Sequence, residues 1–241
     1  MCGGHDHEHH HHHEHEHEHE EKKTIKVMRK ALESNDVYAE RNRGIFDFAK
    51  VLSINLMGSP GAGKTTLIEY LIDVLPLKIG VVEGDLETEN DADRVRAKGA
   101  YAYQIRTSKW GGTCHLEAPW VNEALKEIPL NDIDVLFVED VGNLVCPASF
   151  ELGTHYKWVM VSTTEGEDKP IKYPKMFNIA DVVIISKVDI ADAVGADVEK
   201  MKEYVRQVNG HAKIFTFGKS EADAKEIADY IVSLYKEHFG E

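Results

Sequence analysis

Seven short, largely apolar runs punctuate this chain: Val51–Met57, Ile79–Glu83, Ala102–Arg106, Ile133–Glu139, Trp158–Ser162, Asp181–Ser186 and Lys213–Phe217. Several are apolar at successive positions, as in Val135-Leu136-Phe137-Val138 and Val182-Val183-Ile184-Ile185, so both faces of those strands need cover. Between the runs, apolar residues recur at helical spacing, which predicts helices over 64–75, 88–97, 117–127, 192–208 and 221–238. A further helical stretch covers 24–50, with a break expected near Ser34-Asn35-Asp36. Alternation of this kind implies an α/β fold built on a doubly wound, mostly parallel sheet. Ligands of such sheets bind beyond the C-terminal ends of the strands.

The polar motifs fall at those ends. Residues 58–65 read Gly-Ser-Pro-Gly-Ala-Gly-Lys-Thr, the G-x-x-x-x-G-K-[ST] pattern of a phosphate-binding loop, set between a strand and a helix as that motif requires. Gly58, Ser59, Gly61, Ala62 and Gly63 supply a backbone that can turn its N–H groups onto phosphates, and the following helix N-terminus adds partial positive charge. Lys64 is expected to reach the β/γ-phosphates, and Thr65, followed by Thr66, to present its hydroxyl to Mg²⁺. The pattern predicts a P-loop NTPase.

Three further strand ends carry chemistry. Asp85, in Glu83-Gly84-Asp85, can hold the Mg²⁺ shell or orient the attacking water. Glu139 ends a buried strand and Gly142 follows in Glu139-Asp140-Val141-Gly142-Asn143, the arrangement of a γ-phosphate-sensing switch. In Ser186-Lys187-Val188-Asp189, the Lys187 stem can lie on a base plane. Asp189 can accept from two guanine N–H groups that adenine does not match. Cys114-His115 and Cys146 follow closely on strand-end or switch segments, and two thiolates with one imidazole suit Ni²⁺ or Zn²⁺.

The N-terminus changes the picture again. Cys2 is followed by a tract holding His5, His7, His9, His10, His11, His12, His13, His15, His17 and His19, interleaved with Asp and Glu and without an apolar residue before Ile25. Such a segment cannot bury a core, so residues 1–22 read as a disordered tail that stores Ni²⁺ weakly. The unbroken His9–His13 run alone would suit a purification tag, whereas the His-Glu alternation that continues to His19 favours a native metal-binding segment. Residues 23–50 then form a helical appendage, and 51–241 the P-loop domain. The net charge is −14, of which seven acidic residues belong to the tract through Glu21. An acidic balance argues against nucleic acid or an anionic membrane as partner. No transmembrane or secretory segment is expected, and three cysteines in such a chain point to a cytoplasmic protein with metal-binding thiols.

Taken together, GSPGAGKTT at 58–66, Glu83-Gly84-Asp85, Cys114-His115-Leu116, EDVGNLVCP at 139–147, EGEDKPIKYP at 165–174 and Lys187–Asp189 resemble the HypB family of hydrogenase nickel-incorporation GTPases. The resemblance covers essentially residues 24–238. It implies a SIMIBI-class fold and GTP hydrolysis, with Lys64, Asp85 and Glu139 catalytic and Lys169 a nucleotide contact. It also implies a homodimer formed on GTP binding, with nickel or zinc at the interface on Cys114, His115 and Cys146. The partners implied are a HypA-type nickel chaperone and the large subunit of a [NiFe] hydrogenase. The related urease nickel GTPases carry a Cys-Pro-His motif, which this chain lacks. Ser186 stands where the family usually has Asn, which predicts a less rigid base loop. Cys2-Gly3-Gly4-His5 is short of the additional cysteines of the family's high-affinity nickel motif. The alternatives are a small-molecule kinase on the same P-loop, or a nickel or zinc store with a regulatory nucleotide site.

Overall fold

The computed structural model describes residues 32–85, 90–110 and 112–240. The tail ligands Cys2 to His19 lie outside them, as does the predicted helix start at Thr88. In chain order the main elements are α1 (32–49), β1 (Leu52–Gly58), α2 (Lys64–Val74), β2 (Ile79–Asp85), α3 (Asn90–Ala97), β3 (Tyr101–Arg106) and α4 (Ala118–Ala124). There follow β4 (Val135–Glu139), β5 (Tyr156–Ser162), α5 (Lys169–Lys172), α6 (Pro174–Asn178), β6 (Val182–Ser186), α7 (Ala191–Val194), α8 (Val198–Val208), β7 (Lys213–Phe217) and α9 (Glu221–Phe239).

The seven strands form one sheet in the order β3-β2-β4-β1-β5-β6-β7, and all six pairings are parallel. Successive apolar residues divide between two layers. Val135 and Phe137 of β4, with Trp158 and Met160 of β5, face α2 and α9, where Leu67, Leu71, Ile227 and Ile231 bury completely. Leu136 and Val138 face α1 and α4, while Val159 and Val161 face α6 and α8. This two-sided burial is why those strands carry no polar alternation.

Two helices depart from their sequence expectation. The break near Ser34-Asn35-Asp36 is not seen, and α1 runs unbroken from 32 to 49. The polar side chain expected to end the helix is used elsewhere: buried Asn35 accepts the Ala118 N–H at 2.8 Å and donates to the Glu151 carbonyl at 2.8 Å. Conversely, the helix predicted over 192–208 divides at Gly195, whose left-handed φ of 68° caps α7 before Asp197 starts α8 by accepting from the Lys200 N–H.

The consecutive strands β1 and β2 are separated by β4, and the chain later returns across β1 to reach β5. The loops after β1, β2 and β4 therefore converge at one edge of the sheet, the switch point where doubly wound folds hold their ligands.

Candidate functional site

β1 ends at Gly58, and the chain turns through Pro60–Gly63 directly into α2. Gly63 is the N-cap and no side chain caps the helix, which leaves its first N–H groups to an anion. A cleft of about 510 Å³ opens there, walled by Pro60, Gly61, Gly63–Thr66, Glu83–Asp85, Glu139–Gly142, Asp91, Arg94, Lys187 and Lys219.

At its floor the Thr65 hydroxyl donates to both Glu139 carboxylate oxygens, at 3.0 and 3.2 Å, and Lys64 Nζ stands 3.9 Å from the same carboxylate. Burial pushes the Glu139 carboxyl above its usual range, against the pull of Lys64 and Thr65. Glu83 is pushed up to about 8, by burial first and then by Glu139, Asp91 and Asp85. One Glu83 oxygen is buried without a hydrogen bond. Two carboxyls held up by burial beside the Thr65 hydroxyl, with a Glu83 oxygen unmet next to them, make a cluster of hard oxygen donors that fits a divalent cation such as Mg²⁺, with Thr65, Asp85 and Glu139 as its candidate ligands.

The segment after β4 is stitched to the phosphate loop. Asn143 N–H donates to the Gly58 carbonyl at 2.9 Å, and a Cβ on Gly142 would lie 2.8 Å from Pro60 Cα, so only glycine permits the contact. Asp140 points the other way. Its Oδ1 accepts N–H groups of Leu116, at 3.0 Å, and Val141, at 2.9 Å, while burial pushes its carboxyl up to about 7.

Lys187 lines the cleft in a left-handed conformation, its carbonyl accepting from the Thr163 hydroxyl at 2.8 Å. Ser186 is buried, and its hydroxyl donates to the Ala62 carbonyl at 2.6 Å, which ties the start of the 186–189 segment to the phosphate loop. Asp189 does not line the cleft but abuts Gly218, where a Cβ would lie 3.1 Å from the Asp189 backbone nitrogen. Lys169 stands away from the cleft on α5, its ammonium over the Tyr173 ring. Sequence reasoning did not single out Asp91 or Arg94. Arg94 pairs with Asp91 at 2.8 Å and Glu69 at 2.5 Å, and the charged spacing of Asn90–Ala97 was the available signal.

Beside this cleft, Cys114 and Cys146 bring their sulfurs to 2.8 Å, and both are free thiols. With His115 they place three ligand atoms within 4.8 Å of one another. Burial lowers the His115 pKa, which favours the neutral, ligating imidazole. Neither of its ring nitrogens makes a hydrogen bond among the described residues; Glu117 approaches only to 3.7 Å. The ring stacks on Phe150 with centroids 3.8 Å apart. Two soft sulfurs and an imidazole with its lone pair unused make a site for a borderline cation such as Ni²⁺ or Zn²⁺.

No described helix is long and apolar enough to cross a membrane. Residues 52–216 match the family model of the CobW/HypB/UreG nucleotide-binding domain. The hydrogenase/urease maturation factor HypB of Helicobacter hepaticus is 43% identical over 215 residues, which cover 87% of this chain and 88% of that protein. The crystal structure of HypB from Helicobacter pylori in complex with nickel superposes with a TM-score of 0.82 at 39% identity, over 86% of this chain and 97% of that one. The signal recognition particle 54 kDa protein of Aeropyrum pernix, in complex with GDP, shares the fold alone, with a TM-score of 0.53 at 15% identity over 79% of this chain and 49% of that one. The chain belongs to the CobW/HypB/UreG family and, within it, to HypB.

Proposed function

We propose that this HypB-family protein is a GTP-hydrolysing nickel metallochaperone that delivers Ni²⁺ to the large subunit of a [NiFe] hydrogenase. The observation that carries this reading is one short segment. Glu139 lies against Thr65, Gly142 against Pro60, and Cys146 against Cys114, so a single stretch touches both the phosphate loop and the cation ligands. Nucleotide state and metal geometry are thereby candidates for coupling.

In the reaction, Lys64 and the α2 N-terminus hold the β/γ-phosphates, and Asp85 orders the attacking water. Lys187 covers the base, and Asp189 accepts its N–H groups once the loop closes. Mg²⁺, when bound, neutralises developing charge on the phosphate oxygens. GTP draws two copies together, and Cys114, His115 and Cys146 of the pair hold the cargo ion between them. The tail histidines accumulate nickel, and a HypA-type chaperone passes it on. The Helicobacter hepaticus relative is named for hydrogenase and urease alike, so a urease is a second client to test.

Thermal stabilisation by GTP and ATP, each with and without Ni²⁺, separates the readings. Stabilisation by GTP over ATP that changes with Ni²⁺ supports the metallochaperone. A preference for ATP points to a kinase, and a nickel effect indifferent to nucleotide points to a passive store. Lys64→Ala is expected to abolish GTP turnover in a folded protein. Unchanged turnover removes hydrolysis at this loop.

A further inference from the structure

Leu116 packs behind Gly84, which lines the cleft, although it belongs to the metal-bearing segment. It follows Cys114 and His115 directly and is fully buried. Its side chain lies on Gly84, between Glu83 and Asp85, so closely that a Cβ on that glycine would sit 2.7 Å from Leu116 Cδ2. Its N–H donates to Asp140 Oδ1 at 3.0 Å, and the same oxygen accepts from Val141 at 2.9 Å. One buried carboxylate oxygen therefore joins the segment carrying two metal ligands to the residue before Gly142.

The three ligands differ in how they can sense the nucleotide. Cys146 is four residues beyond Gly142 on the same segment and moves with it. Cys114 and His115 have no such covalent route, since Asp140 comes 24 residues after Leu116. A second tie between the metal-bearing segments runs through Asn35, which accepts from Ala118 and donates to Glu151, but neither partner belongs to the 139–143 segment.

We propose that Asp140 is the positioning residue through which nucleotide state reaches Cys114 and His115, its Oδ1 forcing the 114–116 segment to follow the segment that ends in Cys146. This rests on the coupled GTPase reading above. Side-chain contacts also join the two segments, Cys114 Sγ to Cys146 Sγ at 2.8 Å and the His115 ring to Phe150, but without the shared acceptor the 114–116 backbone loses its hydrogen bond to the 139–143 segment, and a shift at Gly142 moves Cys146 first. The metal then sees one displaced ligand instead of a concerted change of three.

The test is a Ni²⁺ titration of the full chain carrying Cys2→Ala against a competing chelator, followed by the thiolate-to-nickel charge-transfer absorbance, to which the tail then does not contribute. It is run with Mg²⁺ and either GDP or a non-hydrolysable GTP analogue. The parent is expected to differ between the two nucleotides by about fivefold or more in nickel affinity, the lower end of ordinary coupling between sites. Equal affinities in the parent overturn the coupled reading itself, and this proposal with it. If the parent shows the difference, Asp140→Ala is expected to reduce the ratio to about one. Asp140→Asn, which keeps an oxygen acceptor, should restore it. Asn35→Ala should weaken nickel in both nucleotide states and leave the ratio intact. A ratio retained in folded Asp140→Ala, lost in Asp140→Asn, or lost equally in Asn35→Ala overturns the assignment. Should Asp140→Ala fail to fold by circular dichroism, Asp140→Val fills the buried site without an acceptor and is read by the same criteria.

Discussion

Two clusters in this molecule pass the same geometric test for a metal site, and their chemistry sets them apart. Cys114, His115 and Cys146 bring three ligand atoms within 4.8 Å beside the nucleotide cleft; Asp47, His155 and His238 do so where the end of α1 meets the end of α9. In the second cluster every lone pair of the central histidine is taken. His155 Nδ1 accepts the Ser53 N–H at 2.9 Å, which fixes the hydrogen on Nε2, and Nε2 donates to Asp47 at 2.9 Å. A cation at Nε2 would have to expel that proton while Nδ1 stays occupied. In the first cluster both His115 nitrogens are buried with no hydrogen bond among the described residues, and the two thiols face each other at 2.8 Å. Proximity of donors is thus the weaker criterion; unspent lone pairs are the stronger one.

The largest effect that tests this contrast is loss of thiolate-bound nickel. In a chain carrying Cys2→Ala, which removes the tail's own thiol, changing Cys114 and Cys146 to Ala together should abolish the sulfur-to-nickel charge-transfer absorbance, while His155→Ala with His238→Ala leaves it intact. If the histidine pair removes the band, the ranking of the clusters is inverted. Equilibrium dialysis adds the tail: deleting 1–22 should remove the weak, acid-labile ions and spare the tight one.

The converse effect is on stability. His155 has a side chain only 1% exposed, and its removal strands the Ser53 N–H in a buried strand. His155→Ala is expected to cost about 3 kcal/mol in urea unfolding, from the orphaned donor and the lost packing. Cys114→Ala should cost far less, since that residue is exposed.

Much of the first cluster was legible in the sequence and none of the second was, for a physical reason. Gly58–Thr65, Cys114-His115 and Glu139–Cys146 are contiguous words whose spacing carries their chemistry, and strand apolarity placed them at one edge of the sheet. The Asp47–His155 bond spans 108 residues and the Asn35–Glu151 bond 116, between single polar residues with no local pattern. For the same reason the α1 break was expected at Asn35, whose partners lie elsewhere in the fold, and the Asp140–Leu116 tie was invisible. Gly195 is the exception. Its power to end a helix was present locally, but the apolar periodicity on either side masked it.

Titration distinguishes the clusters again, with a smaller signal. Burial, then Arg43 and His238, hold His155 down to about 4 from 6.5 against the pull of Asp47. The folded protein therefore binds this proton more weakly than the unfolded chain. The stability held by neutral His155 is fully present above pH ~6.5 and is lost as pH falls towards ~4, about 3 kcal/mol in all at 1.36 kcal/mol per unit. The raised carboxyls of Glu83 and Asp140 act with the opposite sign in part of the same window. The informative quantity is accordingly the difference between parent and His155→Ala, which should shrink steadily between pH 7 and pH 5. A difference independent of pH would show that His155 is not held neutral.

The smallest expected effect concerns how His115 is aimed. A ligating histidine ordinarily has its second nitrogen fixed by a hydrogen bond, and His115 has none, so its ring is oriented by the face of Phe150 at 3.8 Å, with Trp120 beyond at 6.5 Å. Stacked aromatic pairs are worth about 0.5–1.5 kcal/mol beyond the area they bury, a factor of roughly 2 to 10 in binding. Phe150→Leu, which keeps most of the apolar volume, should weaken nickel by about that factor without altering the charge-transfer spectrum, because both sulfurs remain in place. A loss of a hundredfold would mean that Phe150 holds the Cys146 segment as a whole and not the ring alone. No change at all would mean that the two thiols and the backbone at Leu116 already fix His115, and that stacking adds nothing to the orientation of the ligand.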